Sequence, residues 1–326
     1  MEATDAEIRP LIDQCPEANT FREDVIEGLQ QEQKEIPSKF LYDERGSKLF
    51  DAICELDEYY PTDTEMGIMR THGGDMARAL GPRVRLLEYG SGSSWKTRLL
   101  LDELDEPALY VPIDISRDHL VASARELAQA YPSVPVQPLC ADYTQDMNLP
   151  DPPAHTARTA VYYPGSTIGN FQPTQALHFL ERIASVVGPG GGLLIGVDLK
   201  KDLDVLRAAY NDAEGVTAAF NKNLLRRVNR ELDGTFDLDA FEHRAIWNHA
   251  EGCIEMHLVS RTAQTVTVDG RSFAFDAGET IRTEYSYKFT LDGFADLARE
   301  AGFVVDTVWT DDRRFFSIQY ATVDTW

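Results

Sequence analysis

A short turn with two glycines, EYGSGSSWKT at residues 88–97, is the first part of the sequence whose residues could hold a charged ligand. An apolar, strand-like run precedes the turn, and a segment with helical periodicity, KTRLLLDEL, follows it. Glycine-rich turns between a strand and a helix commonly bind phosphates and nucleotide cofactors. A dinucleotide, ATP and a sulfonium nucleoside are the three candidates, and the spacing of the glycines decides between them.

Two of these ligands are disfavoured at the same position. The dinucleotide fingerprint G-x-G-x-x-G is matched by Gly90 and Gly92, but Trp95 stands at its third glycine. The Walker A pattern G-x-x-x-x-G-K-[ST] is matched by Gly90, Lys96 and Thr97. It also requires a glycine where Trp95 stands. With both phosphate-binding patterns disfavoured, the sequence has a tight double-glycine turn that lacks a site for pyrophosphate. This pattern is expected for S-adenosylmethionine (SAM), whose methionine part carries an amine and a carboxylate but no phosphate.

Acids stand at the ends of successive predicted strands. Glu88, just before the turn, could face the positive end of such a ligand. Asp114, in YVPIDIS, could accept hydrogen bonds from both ribose hydroxyls, and Asp142, in CADY, could accept one from the adenine amine, with Tyr143 against the ring. Asn170, after the next strand, can both donate and accept, which suits an amino acid. The alternative is that these residues only cap helices or start loops.

The elements that would position these residues alternate between apolar strands and amphipathic helices from residue 83, which predicts an α/β fold with a parallel sheet covered on both faces. The carboxyl ends of such strands share one rim, where ligands bind. Residues 200–286 break the rhythm with a helical part and alternating strands. The predicted core therefore comprises residues 64–199 and 287–326, and residues 200–286 form an α+β insertion that residues 1–63 join.

Composition excludes several classes of protein. A net charge of −23 disfavours nucleic acids and anionic membranes as partners. No apolar stretch approaches the roughly 18 residues of a transmembrane helix, and the acidic start does not resemble a signal peptide. The scattered cysteines, without a C-x-x-C, predict neither a disulfide framework nor a zinc site, and the histidines fit no metal motif. We expect a metal-free monomer in a reducing cytoplasm.

Six separated blocks of the sequence together carry a resemblance to a known family. The blocks are KFLYDERGSKLFDAICELDEYYPTDTE, EYGSGSSWKT, YYPGSTIGN, YNDAEGVTAAFNKNLLRRVNRELDGTFDLDAFEH, IEMHL and TEYSYKF. In this order they closely resemble the L-histidine Nα-methyltransferases of ergothioneine biosynthesis, from about residue 21 to the C-terminus. The resemblance implies a class I (Rossmann-like) methyltransferase domain with an inserted substrate-binding domain.

The resemblance also implies a reaction and a set of site residues. Members of this family use SAM to methylate the α-amine of histidine three times, through mono- and dimethylated intermediates, and yield hercynine. By motif, the cofactor would be bound by Gly90, Lys96, Asp114, Asp142 and Tyr143; histidine would be bound by Tyr59, Asn170, Tyr210, Met256, Glu284 and Ser286; and Tyr42 would lie near the amine as a candidate proton acceptor. Relayed water is an equal alternative to Tyr42, because an unperturbed phenol has a pKa of about 10.

Substrate choice would depend on Glu284, whose carboxylate could accept a hydrogen bond from an imidazole N–H and so reject phenylalanine. The alternative for Glu284 is a position on the solvated face of a strand, since polar and aromatic residues alternate from Glu284 to Tyr287. The alternative for Met256 is an ordinary core residue. Two other functions remain open: methylation of another aromatic amino acid such as tryptophan, and binding of SAM or an amino acid without catalysis.

Overall fold

A computed structural model describes residues 8–15, 18–92 and 95–324. Its strands are β1 (Ile12–Gln14), β2 (Lys34–Glu35), β3 (Val84–Tyr89), β4 (Leu109–Asp114), β5 (Leu139–Ala141), β6 (Arg158–Tyr163), β7 (Gly192–Asp198), β8 (Phe241–Asn248), β9 (Cys253–Ser260), β10 (Gln264–Val268), β11 (Arg271–Phe275), β12 (Thr280–Tyr287), β13 (Phe303–Thr310) and β14 (Phe316–Val323). Its α-helices are α1 (Ala18–Gln30), α2 (Glu44–Cys54), α3 (Tyr60–Leu80), α4 (Trp95–Leu101), α5 (Arg117–Ala130), α6 (Pro173–Val187), α7 (Leu203–Tyr210), α8 (Val216–Glu231) and α9 (Leu291–Glu300). Short 3-10 turns cover Ser38–Leu41, Thr167–Asn170 and Leu238–Ala240. None of the helices in the described ranges is long and apolar enough to cross a bilayer.

The chain divides into two compact units. The first contains the described residues of Met1–Pro16, Pro61–Lys200 and Phe289–Trp326, and the second contains those of Glu17–Tyr60 and Lys201–Lys288. The chain therefore leaves the first unit after β7 and returns to it before α9. An inserted second unit was predicted from the change in pattern near residue 200.

The first unit is built on one sheet with the strand order β1-β5-β4-β3-β6-β7-β14-β13. Neighbouring strands from β1 to β7 are parallel, whereas β14 runs antiparallel to both β7 and β13. Helices connect the parallel strands and cover both faces of the sheet. Side chains alternate between two cores: Leu87 packs with residues of α6 and α9, and Leu86 packs with residues of α3, α4 and α5. This is the predicted class I methyltransferase fold.

The N-terminal segment differs from the sequence-based predictions in two respects. Residues 8–15 group with the first unit and not with the inserted one, because β1 pairs in parallel with β5 at the edge of the sheet. This pairing aligns Asp13 with Cys140 and brings Cys15 to a Cα–Cα distance of 5.1 Å from Cys140, and the two form a disulfide. The sequence analysis predicted no disulfide framework and missed this single pairing. A separation of 125 residues hides a pairing that only the edge strand creates.

The second unit contains a four-stranded sheet with the order β2-β12-β9-β8. Strand β9 lies between β8 and β12, antiparallel to both, and is buried along its whole length. Helix α8 covers this sheet through buried side chains that include Phe220 and Leu224. Strands β10 and β11 form a separate hairpin. Strand β9 of this sheet carries Met256, and strand β12 carries Glu284 and Ser286.

Candidate active site

In the first unit, the ends of three parallel strands bring four of the predicted cofactor residues together. The backbone N–H of Gly90, after β3, donates to the carbonyl of Ile113 in β4 at 2.8 Å. A Cβ placed on Gly90, whose φ is +72°, would lie 3.7 Å from the ring of Tyr143, which follows β5. The parallel order predicts that residues at the tips of these strands share one rim, and Gly90, Ile113 and Tyr143 lie close together there.

Asp114 lies at the tip of β4 and is already held by the backbone. One carboxylate oxygen accepts from the N–H of Ser116 at 2.8 Å, and the other accepts from the N–H of Gly92 at 3.2 Å. Burial raises the pKa of this carboxyl, although these hydrogen bonds act in the opposite direction. Each carboxylate oxygen can accept a second hydrogen bond, so the fixed carboxylate suits two neighbouring hydroxyls such as those of a ribose.

Asp142 and Tyr143 form the next part of this rim. One oxygen of Asp142 accepts from both the N–H and the hydroxyl of Thr144, at 2.9 and 2.5 Å. The ring of Tyr143 is stacked on Tyr89, with the ring centroids 5.5 Å apart and an interplanar angle of 17°. Burial raises the pKa of the Tyr143 phenol, so the ring stays neutral. The stacked ring of Tyr143 can therefore present a flat face beside the hydrogen-bond acceptor Asp142, an arrangement that fits an adenine ring.

Lys96 has a partner that the sequence analysis missed. Its Nζ lies 2.5 Å from the carboxylate of Glu65, which belongs to α3 and is fully buried. The same carboxylate accepts from the backbone N–H of Gly165, after β6, at 3.0 Å. Glu65 thus connects the start of α4 to the loop after β6. It is the last residue of one block that carries the family resemblance, and this was the available signal.

Gly196, in β7, leaves the space that Glu65 occupies. A Cβ on this residue would overlap Glu65 Oε1 and would lie 3.0 Å from the ring of Phe316. We expect Gly196→Ala to lower the free energy of unfolding by about 1–3 kcal/mol, because the interior has no room for the methyl group. Urea unfolding measures the change. Gly67→Ala is the matched control, since nothing lies within 4 Å of its Cβ position in α3; equal stability of both variants would contradict the expectation.

Glu88 does not face a ligand, and this expectation from the sequence is wrong. Its carboxylate is 2% exposed and accepts hydrogen bonds from Thr97 Oγ1 at 2.6 Å and from the Tyr110 hydroxyl at 2.5 Å. Successive side chains of a strand point to opposite faces, and Glu88 points to the face beneath α4. Burial outweighs these hydrogen bonds and raises the pKa of Glu88 to about 7.

This pKa predicts a pH-dependent stability. Between pH 4.5, the ordinary pKa of a glutamate, and about 7, the folded chain keeps a proton on Glu88 that the unfolded chain has released. The free energy of unfolding should therefore fall by up to roughly 3 kcal/mol as the pH rises through this window. Glu88→Gln should make the fall measured by urea unfolding at several pH values smaller by this amount and leave the contribution of Glu284, whose pKa is also raised to about 7. Glu126→Gln, an exposed carboxylate in the same unit, should keep the whole fall. Parallel curves for wild type and Glu88→Gln would contradict this origin.

In the second unit, aromatic rings connect the predicted residues Tyr42, Tyr59 and Tyr210. The ring centroid of Tyr42 lies 5.4 Å from that of Phe50 and 5.5 Å from that of Phe220. Phe50 contacts Tyr59 at 6.2 Å, and Tyr59 contacts Tyr210 at 6.4 Å. Burial raises the pKa of Tyr59 well above 10, so its phenol keeps its proton. These rings form one apolar cluster with hydroxyl groups at its edges.

Glu284, Met256 and Ser286 lie together on β9 and β12 of this unit. Glu284 is paired with Met256 across the two strands, beside a bulge that follows Arg282, and Ser286 lies two residues further along β12. Among the described residues, none forms a hydrogen bond with the Glu284 carboxylate. Burial raises its pKa to about 7. Glu284 is only partly exposed and, among the described residues, is acted on by the charge of Lys288 without accepting a hydrogen bond, unlike a glutamate on a solvated strand face.

Asn170, the remaining residue predicted to bind the substrate, belongs to the first unit. It ends the 3-10 turn Thr167–Asn170 that follows β6, and it is partly exposed. The turn begins at Ser166, which has a φ of +56° and whose hydroxyl accepts from the backbone N–H of Asp198.

Trp95, which excluded two phosphate ligands, begins α4 with 57% of its surface exposed.

Comparison with known proteins agrees with these features. The chain matches, over residues 21–323, a family described as histidine-specific methyltransferase, SAM-dependent. A histidine N-alpha-methyltransferase from Mycolicibacterium smegmatis is 42% identical over 310 residues, which cover 93% of this chain and 95% of that protein. Its counterpart from Mycobacterium tuberculosis is 41% identical over 306 residues, covering 92% and 94%. Ergothioneine biosynthesis protein 1 from Neurospora crassa is 32% identical over 286 residues, which cover 85% of this chain and 32% of that protein. Because the family match spans most of its length, the chain belongs to the histidine-specific, SAM-dependent methyltransferases.

Proposed function

We propose that this chain transfers a methyl group from SAM to the α-amine of L-histidine, and repeats the transfer on the mono- and dimethylated products to yield hercynine, the first step of ergothioneine biosynthesis. The observation that carries the choice of histidine is Glu284. It is a half-buried carboxylate with a raised pKa, and no described residue supplies it with a hydrogen-bond donor. An imidazole N–H is such a donor, and a phenyl ring offers none.

The other residues assigned to histidine have chemistry that suits the rest of the molecule. Met256 is 2% exposed beside Glu284 and provides an apolar wall for the ring. Tyr210 and Ser286 carry hydroxyls 2.7 Å apart, and Tyr59 packs against Tyr210. We assign Asn170 to the amino acid as well, because an amide can donate to a carboxylate and accept from an amine.

On the cofactor side, we assign Gly90, Lys96, Asp114, Asp142 and Tyr143 to SAM. The fit rests on the absence of a Cβ at Gly90 beside Tyr143, on the two-oxygen acceptor of Asp114, and on the stacked ring of Tyr143 next to Asp142. Bound SAM supplies an electrophilic methyl group on a sulfonium. The protein's own contribution is to position the reactants and to keep competing water away from them.

The amine must lose its proton before each transfer, because only a neutral amine is a nucleophile. We propose Tyr42 as the acceptor, directly or through water. Its ring is fixed by edge contacts to Phe50 and Phe220. A phenol with an ordinary pKa of about 10 carries its own proton at neutral pH, so it can take the proton of the amine only as it releases its own proton to water; otherwise it orients the amine while water takes the proton.

We also propose that the chain is a monomer in the cytoplasm. The net charge of −23 keeps copies of the chain apart, which supports the monomer. For the compartment, the free thiols of Cys54 and Cys253 suit a reducing cytoplasm, whereas the Cys15–Cys140 disulfide is unusual there. Light scattering of the purified chain tests the monomer. A mass near the 36.6 kDa of one chain is expected, and twice that mass would overturn the assignment.

Incubation of the chain with SAM and single amino acids tests the proposed reaction. Histidine should give mono-, di- and trimethylated products in succession by mass spectrometry, and NMR should place every methyl group on the α-nitrogen. Methylation of a ring nitrogen, or product only with tryptophan or another amino acid, would reject the proposal. Binding of histidine without any product would instead indicate a binding protein.

A further inference from the structure

Lys288, one residue beyond β12 in the second unit, is a buried lysine to which the sequence analysis gave no role. Only 4% of its surface is exposed. Its Nζ donates to Ser286 Oγ at 2.6 Å and to the Tyr210 hydroxyl at 3.0 Å, and lies 4.9 Å from the centre of the Tyr210 ring. Lysine is rarely buried this deeply, because its charge loses hydration. Two of its contacts are the hydroxyls that we assign to the substrate.

The protons of this trio can be counted. An ammonium group only donates, so Lys288 occupies a lone pair on each of the two hydroxyl oxygens. These oxygens lie 2.7 Å apart, so one of the two hydroxyl protons lies between them. The other hydroxyl proton must point to an acceptor outside the trio, whichever way the first bond runs. With a neutral residue at position 288, the Ser286 oxygen would regain a lone pair and could accept from a ligand instead.

The position of Ser286 indicates which acceptor the trio serves. Ser286 and Glu284 are two residues apart on β12, so their side chains leave the same face of the strand, about 7 Å apart along it. A neutral imidazole has one N–H and one nitrogen with a lone pair. When Glu284 is ionised, its carboxylate accepts hydrogen bonds and donates none. A hydroxyl that must donate a hydrogen bond therefore complements it. The two groups together match both nitrogens of one imidazole ring.

We propose that Lys288 is a positioning residue that turns the Tyr210–Ser286 pair into a hydrogen-bond donor for the unprotonated ring nitrogen of histidine. This inference rests on the proposed function, since it assumes that histidine is the substrate. The substrate is then recognised by a paired acceptor and donor. Tryptophan has only an N–H on its ring and phenylalanine has neither group, so both lack the acceptor that the trio requires.

Calorimetry on the full chain with S-adenosylhomocysteine present tests this role without turnover. The variants are Lys288→Met, Lys288→Arg and Lys48→Met, the last removing a lysine of the same unit whose side chain is 73% exposed. Lys288→Met should weaken histidine binding about tenfold or more, while β-(2-thienyl)alanine, which has a five-membered ring without nitrogen, should bind as it does to wild type. Lys288→Arg should restore part of the preference for histidine, and Lys48→Met should match wild type.

A second measurement keeps the test decisive where thienylalanine binds too weakly or a variant is unstable. The nitrogen-15 spectrum of ring-labelled histidine bound to wild type should show one N–H nitrogen and one hydrogen-bonded acceptor nitrogen. In Lys288→Met, the resonance of the acceptor nitrogen should move downfield. In Lys288→Arg, it should stay near its wild-type position. Either variant that stays folded provides the test.

Three results would overturn the role of Lys288: equal weakening of both ligands, which points to the shared carboxylate; unchanged affinity for histidine; or an acceptor resonance in Lys288→Met that does not move. Failure of the proposed function is distinguishable from these, because wild type itself would then neither bind nor methylate histidine.

Discussion

Replacing Glu284 by glutamine is expected to lower kcat/KM for histidine on the order of 100-fold, because the ring N–H loses a charge-assisted hydrogen bond in a partly buried site. Most of the loss should fall on KM, since the carboxylate binds the ring and not the reacting nitrogen. Steady-state assays of methylated histidine measure both constants. The preference for histidine over phenylalanine should shrink by a similar factor.

The control for this substitution is Glu242→Gln in the same unit, where the carboxylate is 47% exposed on β8. It should leave both constants unchanged. Acidification offers an independent check: because the pKa of Glu284 is about 7, KM for histidine should rise as the pH falls below that value. Full activity of Glu284→Gln would show that the ring is recognised elsewhere.

Replacing Asp114 by asparagine is expected to raise the Kd for SAM on the order of 100-fold. The carboxylate offers two acceptor oxygens that are fixed by Gly92 and Ser116, whereas an amide offers one oxygen and would turn its NH₂ towards another donor. Calorimetric titration with SAM measures the change, and the affinity for histidine should stay within a factor of about two of wild type, since the substitution leaves the second unit intact.

Asp118→Asn is the matched control for the cofactor side. This acid lies four residues further along the chain, in α5, and its side chain is 99% exposed. Its removal should leave the Kd for SAM unchanged. An Asp114→Asn variant that binds SAM as tightly as wild type would place the ribose away from β4 and would contradict the assignment of the rim.

Much of the first unit could be predicted from the sequence, because its strands are continuous apolar runs between amphipathic helices. The apolar residues of PTQALHFLERIASVV recur with the period of a helix, and this segment forms α6. The rim follows from the parallel order alone, since acids that end consecutive strands must share one edge. The pairing of β1 with β5 could not be predicted, because a strand of three residues carries almost no periodic signal.

The orientation and partners of buried charges were harder to predict. Glu88 and Tyr89 point to opposite faces of β3, and the sequence does not say which face meets a ligand. Glu65 lies 31 residues from Lys96, and their ion pair exists only because α3 packs on the sheet. In the second unit, β8 and β11 carry several exposed polar residues, which weaken the apolar pattern by which a strand is predicted. Lys288 could be read as a solvated lysine until its burial was known.

Competition between amino acids in one reaction tests the central claim, that SAM and histidine are the two substrates of this chain, most directly. Equal concentrations of histidine, tryptophan and phenylalanine are mixed with limiting SAM whose methyl group is deuterated, and the products are quantified by mass spectrometry. Because each competitor leaves Glu284 or the Ser286 donor without a partner, methylated histidine should exceed each other product on the order of 100-fold. Preferential labelling of tryptophan or phenylalanine, or no transfer to any amino acid, would contradict the account.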